Sequence, residues 1–200
     1  MHRIVALLAA ALATGAFAAA PDPEMVARDL NAGLLGVMKD SKDLDYQGRF
    51  DRIAPVVDAA FDVPFMAEKS LGRDWDDLSA GDQTAWIALF REFMIANYAG
   101  RFVGYKDESF EQLGKEDGAY DTVLVKTRLL VPSEENVDLD YRLRQTPDGW
   151  RVVDIYLKGS VSELALRRSD YSAVVKRGGF AELSTYLRGK IEALKTGSAE

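Results

Sequence analysis

The sequence is organised around the stretch Gly149-Trp150-Arg151-Val152-Val153-Asp154-Ile155-Tyr156-Leu157-Lys158-Gly159. Simple alternation makes both faces of this stretch apolar, with Trp150, Val152 and Tyr156 on one face and Val153, Ile155 and Leu157 on the other. A strand of this composition is usually covered on both faces. One carboxylate, Asp154, lies near its middle, and a charged helix follows closely. The stretch therefore predicts a buried strand beside a candidate ligand site.

The N-terminus has the three parts of a secretory signal peptide. Met1-His2-Arg3 gives a positive start, residues 4–12 are apolar, and an Ala-x-Ala pattern ends at Ala18. The apolar run is too short to span a bilayer. We therefore expect residues 1–18 to be a signal peptide, cleaved near Ala18, and the mature protein to be periplasmic. The rest of the chain has no run suited to stable membrane insertion.

The inventory of side chains excludes several classes of chemistry. The sequence has no cysteine, and its one histidine, His2, lies in the predicted signal peptide. Ser-His-Asp and Cys-His catalysis therefore lack a residue they need, and a zinc site lacks its usual ligands. The formal net charge of −7 disfavours nucleic acid, because phosphates attract concentrated positive charge. We predict no metal site and no cofactor.

Four stretches in the first half of the chain carry apolar residues at helical spacing. Residues 22–39 and 45–61 are predicted as amphipathic helices, and a short helix runs from Val63 to Gly72. The longest helix begins at Ser79 and extends through Phe102. Its aromatic stripe is typical of a protein core, but its Met and Phe content also suits the wall of a cavity for an apolar ligand.

The spacing of apolar residues changes to alternation after Glu108. Strands are predicted at residues 109–113, 122–131, 137–145 and 150–157, and the short turns between them indicate an antiparallel meander. Two further helices follow, Ser160–Lys176 and Phe180–Leu194, separated by Gly178-Gly179. The sequence thus predicts one α+β domain over residues 19–195, with helices packed on a curved four-stranded antiparallel sheet and a frayed tail at residues 196–200.

Several short runs occur together in a known family. They are Phe61–Ala67, Leu71–Trp75, Gln83 with Phe90, Asn97–Ala99, Asp140–Leu143, Gly149–Asp154, Arg168–Tyr171 and Gly178-Gly179. In this order they make residues 49–190 resemble the MlaC-like proteins, the toluene-tolerance auxiliary components of ABC transporters. The run from Gly159 to Arg168 is similar to the hopanoid-biosynthesis-associated branch, HpnM.

The resemblance implies a lipid shuttle of the periplasm that performs no catalysis. Such proteins hold acyl chains in an apolar cavity between sheet and helices and carry phospholipid between membrane complexes. Membrane-bound transporter subunits are the expected partners, the expected state is a monomer, and the hopanoid branch adds a polycyclic lipid as a candidate ligand. Removing an acyl chain from water is worth about 0.8 kcal/mol per methylene, so a dry cavity is sufficient.

Ten apolar or aromatic side chains are candidates for the wall of this cavity. They are Phe65, Met66, Trp75, Phe90, Phe93, Met94, Val125, Leu129, Tyr141 and Tyr156. Ordinary core packing is the alternative interpretation for each of them.

Asp154 has three interpretations. A buried carboxylate keeps its charge only beside a cation or hydrogen-bond donors, and Arg168 on the following helix is a suitable partner. We therefore expect a structural Asp154–Arg168 pair, with a role at the lipid headgroup or as a general base as alternatives.

Two other classes of function stay open. In a cone-shaped α+β enzyme, Asp154 or Asp62 would face an apolar pocket and abstract a proton from a steroid-like lipid. A transporter adaptor without a ligand would instead have a cavity too small for an acyl chain.

Overall fold

A computed structural model describes residues 22–132 and 134–198 of the 200-residue chain. The predicted signal peptide and its cleavage site lie outside these residues. No helix in the described part of the chain combines the length and the hydropathy of a bilayer-spanning segment. The fold is the predicted α+β arrangement, with helices packed on one side of an antiparallel sheet.

Four helices precede the sheet. They are α1 (Pro23–Asp40), α2 (Tyr46–Ala60), α3 (Val63–Leu71) and α4 (Ala80–Arg101), with a short 3₁₀ helix at Gly72–Trp75 after α3. Each α-helix begins after a residue whose side chain accepts a backbone N–H of the first turn: Asp22, Asp45, Asp62 and Ser79. These N-caps satisfy otherwise unpaired donors. The caps explain why the predicted starts of these helices lie close to the observed ones.

The sheet is a meander in chain order. Its strands are β1 (Ser109–Asp117), β2 (Thr122–Leu130), β3 (Val137–Thr146), β4 (Gly149–Leu157) and β5 (Val161–Ser162). The fifth strand corrects the prediction of a four-stranded sheet. It pairs with the end of β4, and two residues are too few to show an alternating pattern.

β4 contains an irregularity that matters for the cavity. Arg142 of β3 pairs with Asp154, but the next residue, Leu143, pairs with Val152. Val153 is therefore an extra residue on β4, as in a β-bulge. A bulge interrupts the alternation, so the side chains after it lie on the opposite face from the one that simple counting gives.

The cross-strand partners show the new faces directly. Ile155 pairs with the buried Tyr141, and both lie on the side of the sheet that faces the helices. Tyr156 pairs with Asp140 on the other side. The prediction that Tyr156 shares a face with Val152 is wrong, because the alternation does not continue through the bulge.

The last helix, α5 (Glu163–Thr196), packs along α4 and closes the domain. Gly179 interrupts it with φ of 71° and ψ of −168°, a conformation that favours glycine. The two helices predicted on either side of this glycine are therefore joined directly by the kink. The helix also runs to Thr196, into the segment expected as a tail, and residues 199–200 lie outside the described chain.

Candidate binding cavity

A cavity of about 830 Å³ lies between α4, α5 and the helix-facing side of the sheet. Its volume is within the range of roughly 300–1,000 Å³ typical of sites for small molecules. The lining includes exposed residues such as Arg101 and Lys190, so the cavity opens to solvent. Such a space can shelter an apolar ligand and leave one end of it in water.

Five of the ten predicted wall residues line this cavity: Met66, Phe90, Phe93, Met94 and Tyr141. The three from α4 recur at helical spacing and form one face of that helix. On the sheet, the Tyr141 hydroxyl donates a hydrogen bond of 2.6 Å to Oδ1 of Asn31 on α1. Burial raises the pKa of Tyr141 well above its ordinary value, so the hydroxyl stays neutral.

Four of the other predicted residues lie away from the cavity. Phe65 and Trp75 belong to a separate groove of about 450 Å³, where the Arg144 guanidinium lies 4.2 Å from the centre of the Phe65 ring. Val125 is completely buried in the core beneath the helices, and Leu129 is further along the same strand. The sequence showed that these residues were apolar but not which space each would line.

Tyr156, the tenth residue, lies on the opposite side of the sheet. Its ring packs against the Arg142 guanidinium at 5.0 Å. Ile155 and Leu157 line the cavity in its place, as the β4 bulge requires. Leu139 is a further wall residue, and the clean alternation of β3 had already placed it on the same face as Tyr141.

The α5 side of the cavity is more polar than the other walls. Glu163, Arg167, Asp170 and Lys190 all contribute to the lining. The sequence marked this helix as charged, but it could not show that Arg167 lines the cavity while the adjacent Arg168 does not take part in the lining. Which of these two arginines faces the cavity depends on how α5 is rotated about its own axis.

Two tyrosines near Arg167 are also strongly affected by burial. Burial raises the pKa of Tyr98; the charge of Arg167 opposes this shift, and the charge of Glu163 adds to it. Burial also raises the pKa of Tyr171 to about 12, although the charge of Arg167 and a hydrogen bond from its guanidinium partly counteract this shift. Both hydroxyls therefore stay protonated at neutral pH and can donate hydrogen bonds.

Asp154 holds the start of α5. Its carboxylate accepts hydrogen bonds from the Ser162 hydroxyl at 2.6 Å, the Leu164 amide at 3.1 Å and the Ile155 amide at 2.8 Å. Ser162 is the N-cap of the helix, and a negative charge there also favours the helix dipole. Asp154 thus fixes one end of a cavity wall.

Arg168 does not take the place that the sequence suggested. Among the residues that the structure describes, Arg168 and Asp154 form no ion pair, so the predicted pair is wrong. Hydrogen-bond donors stabilise the Asp154 charge instead. Arg168 packs across Gly72, where an added Cβ would collide with the Arg168 guanidinium. A sequence pattern could not reveal this contact between distant segments.

The two acids considered as a general base both lie outside the cavity. Asp154 is on the other side of the sheet, opposite Arg142. Asp62 caps α3 and pairs with Arg144, whose Nη2 is 2.6 Å from its Oδ2. Asp62 instead lines the separate groove that contains Phe65 and Trp75, where its carboxylate is already paired with the Arg144 guanidinium. In residues 22–132 and 134–198, no group of three or more acidic or histidine side chains is placed to hold a metal ion.

Comparison with known proteins agrees with this architecture. A family model described as MlaC protein matches residues 28–189. The structure of a phospholipid-binding protein from Ralstonia solanacearum, solved in complex with a phospholipid, matches with a TM-score of 0.76 and 23% sequence identity. The match covers 87% of this chain and 99% of that one. At this identity the likeness shows a shared fold. A search of curated proteins found no match.

Proposed function

This chain belongs to the MlaC family, and on that premise we propose that it is a lipid carrier that holds the acyl chains of a phospholipid in the cavity between α4, α5 and the sheet. The observation that carries the proposal is the cavity itself, about 830 Å³ in volume and walled by aromatic and aliphatic side chains. The structural neighbour with a bound phospholipid supports the choice of ligand.

The energetics of such a site are simple. Transfer of each methylene from water to an apolar wall contributes about 0.8 kcal/mol, so ten sheltered methylenes contribute roughly 8 kcal/mol. An interaction of this kind is non-directional and needs no catalytic group. We therefore propose binding without catalysis. The cavity opens to solvent near Arg101 and Lys190.

The proposal places the protein in the periplasm as a monomer, with residues 1–18 as a cleaved signal peptide and residues 19–195 as the lipid-binding domain. There it would exchange lipid with membrane-bound transporter subunits. The signal-like N-terminal sequence supports the location. A hopanoid-type lipid is the alternative ligand, suggested by the run from Gly159 to Arg168.

Transfer of a fluorescent phospholipid between donor and acceptor vesicles tests the carrier function. We expect the wild-type protein to accelerate transfer and the Leu139→Trp variant to lose most of this activity, because Leu139 lines the cavity. Leu124→Trp is the matched control, since Leu124 pairs with Arg142 on the other side of the same sheet.

Equal transfer by all three proteins would show that the cavity is not the binding site. If wild-type protein transfers no phospholipid but extracts a hopanoid from vesicles that contain one, the protein is a lipid carrier whose ligand is a hopanoid. Transfer of neither lipid would contradict the proposed function.

A further inference from the structure

The α5 side of the cavity contains polar groups that acyl chains do not need. We propose that this side is a receptor for the phosphate of a lipid headgroup, in which the Arg167 guanidinium and the Tyr171 hydroxyl donate hydrogen bonds to phosphate oxygens. The inference rests on the proposed function. It extends the site from one that shelters apolar chains to one that selects lipids with an anionic phosphate.

Arg167 is held in the cavity wall with most of its donors free for a ligand. Its guanidinium lies 4.8 Å from the centre of the Phe93 ring, and this stacking fixes the plane of the group. It donates a hydrogen bond from Nη2 to Oε2 of Glu163 at 3.4 Å, and it also lies beside the Tyr171 hydroxyl oxygen. That distance is long for a charge-assisted contact. An arginine has five N–H donors, so a phosphate could be bound without loss of other protein contacts.

Tyr171 supplies the second donor. The residue lines the cavity and is only 3% exposed, and its ring meets Trp86 edge-on with the ring centres 5.4 Å apart. Its oxygen lies beside the Arg167 guanidinium, but its buried O–H finds no acceptor among the described residues. A buried donor without a partner is unfavourable and unusual, which points to a partner from outside the protein.

The two donors belong to one surface. Arg167 and Tyr171 are four residues apart on α5, so their side chains lie on the same face of the helix. Their conformations are set by different aromatic rings, Phe93 and Trp86, both on α4. Both side chains are therefore held in place before a ligand arrives, and a phosphate reaches the buried Tyr171 hydroxyl by displacing neighbouring side chains.

The charges around the cavity also favour an anion. The lining contains three cations, Arg101, Arg167 and Lys190, and two carboxylates, Glu163 and Asp170. This local excess of positive charge occurs in a chain of net charge −7. A guanidinium matches the geometry of phosphate oxygens and can bind two of them at once.

Titration calorimetry with short-chain ligands tests the inference. The ligands are dihexanoyl phosphatidylglycerol, dihexanoylglycerol with the same chains but no phosphate, and inorganic phosphate. The proteins are wild type, Arg167→Gln, Tyr171→Phe and the control Arg168→Gln, which changes an adjacent arginine outside the cavity lining. Tyr171→Phe removes a buried hydroxyl whose O–H has no acceptor in the described protein, so the thermal stability of this variant should stay close to that of wild type.

We expect Arg167→Gln and Tyr171→Phe each to weaken phosphatidylglycerol binding about tenfold, in line with hydrogen bonds to a charged group. Binding of dihexanoylglycerol should be the same in all four proteins, and Arg168→Gln should behave as wild type. In the contrary result, wild-type protein binds both lipids and the two variants bind phosphatidylglycerol as tightly as wild type. That result would contradict the proposed phosphate receptor and leave the carrier function supported.

Two further outcomes decide the remaining cases. If Arg167→Gln weakens binding of inorganic phosphate but not of phosphatidylglycerol, the site serves the free ion and the headgroup inference is wrong. If wild-type protein binds neither lipid, the proposed function fails as well.

Discussion

Asp154 is the residue whose role the structure changes most. The sequence suggested that a cation on the next helix balances its charge, but three hydrogen-bond donors do so instead. Two of these donors belong to the first turn and N-cap of α5. The residue is therefore a fixed support for a cavity wall rather than part of the binding surface.

This role predicts a loss of stability when the carboxylate is removed. We expect Asp154→Ala to lower the free energy of unfolding by about 1–3 kcal/mol, because buried donors lose their acceptor. Urea denaturation measures the change. Asp77→Ala is the control, since Asp77 is exposed. Unchanged stability of Asp154→Ala together with lost lipid binding would instead indicate direct contact with the ligand.

A second buried carboxylate, Asp140, predicts an unusual pH dependence. Burial raises its pKa above the ordinary value of 3.8, with partial opposition from the Thr127 amide. The folded protein therefore holds this proton at pH values where the unfolded chain has lost it, and the contribution of Asp140 to stability falls as pH rises through that range. Relative to wild type, Asp140→Asn should become more stable as pH increases from about 3 to 6.

Asp138 on the same strand provides a control of opposite sign. A hydrogen bond from Arg128 lowers the pKa of Asp138, so its contribution to stability is present above the ordinary pKa and is lost as pH falls. Asp138→Asn should therefore become less stable relative to wild type as pH rises. Urea titrations at several pH values measure both trends, and parallel trends for the two variants would refute the assignment.

At the scale of elements, the bulge at Val153 decides which side chains of β4 reach the cavity. We expect Ile155→Ala to weaken phospholipid binding by about 1–2 kcal/mol, because apolar contact with an acyl chain is lost. Tyr156→Ala should leave binding unchanged, since its ring packs against Arg142 on the other side of the sheet. Affinity for a short-chain phospholipid measures both effects. The reverse order of effects would mean that β4 has no bulge at this position.

The elements themselves could be predicted well because their signals are local. Helical spacing with N-caps such as Ser79 predicted where α1 to α4 begin, and clean alternation predicted the faces of β3. The bulge in β4 and the contact of Arg168 with Gly72 depend on how separate segments pack together, and the two residues of β5 are too few to show an alternating pattern. A single sequence contains no local pattern for them, so the predicted pair and the position of Tyr156 were wrong.

At the scale of the whole molecule, the cavity is a space between layers rather than a motif. Its wall combines Phe93 of α4, Leu139 of β3 and Leu194 of α5, which are far apart in the chain. The resemblance to the MlaC-like family implied such a space, and the spacing of apolar residues could not. Five of the ten candidates line it, since an apolar residue can equally belong to the packed core.

Native mass spectrometry of protein purified from the periplasm of a bacterial host tests the central claim most directly. We expect the wild-type protein to retain the added mass of one phospholipid and Leu139→Trp to retain little, while Leu124→Trp behaves as wild type. Wild-type protein that appears only at the mass of the bare chain, even after incubation with phospholipid vesicles, would contradict the account.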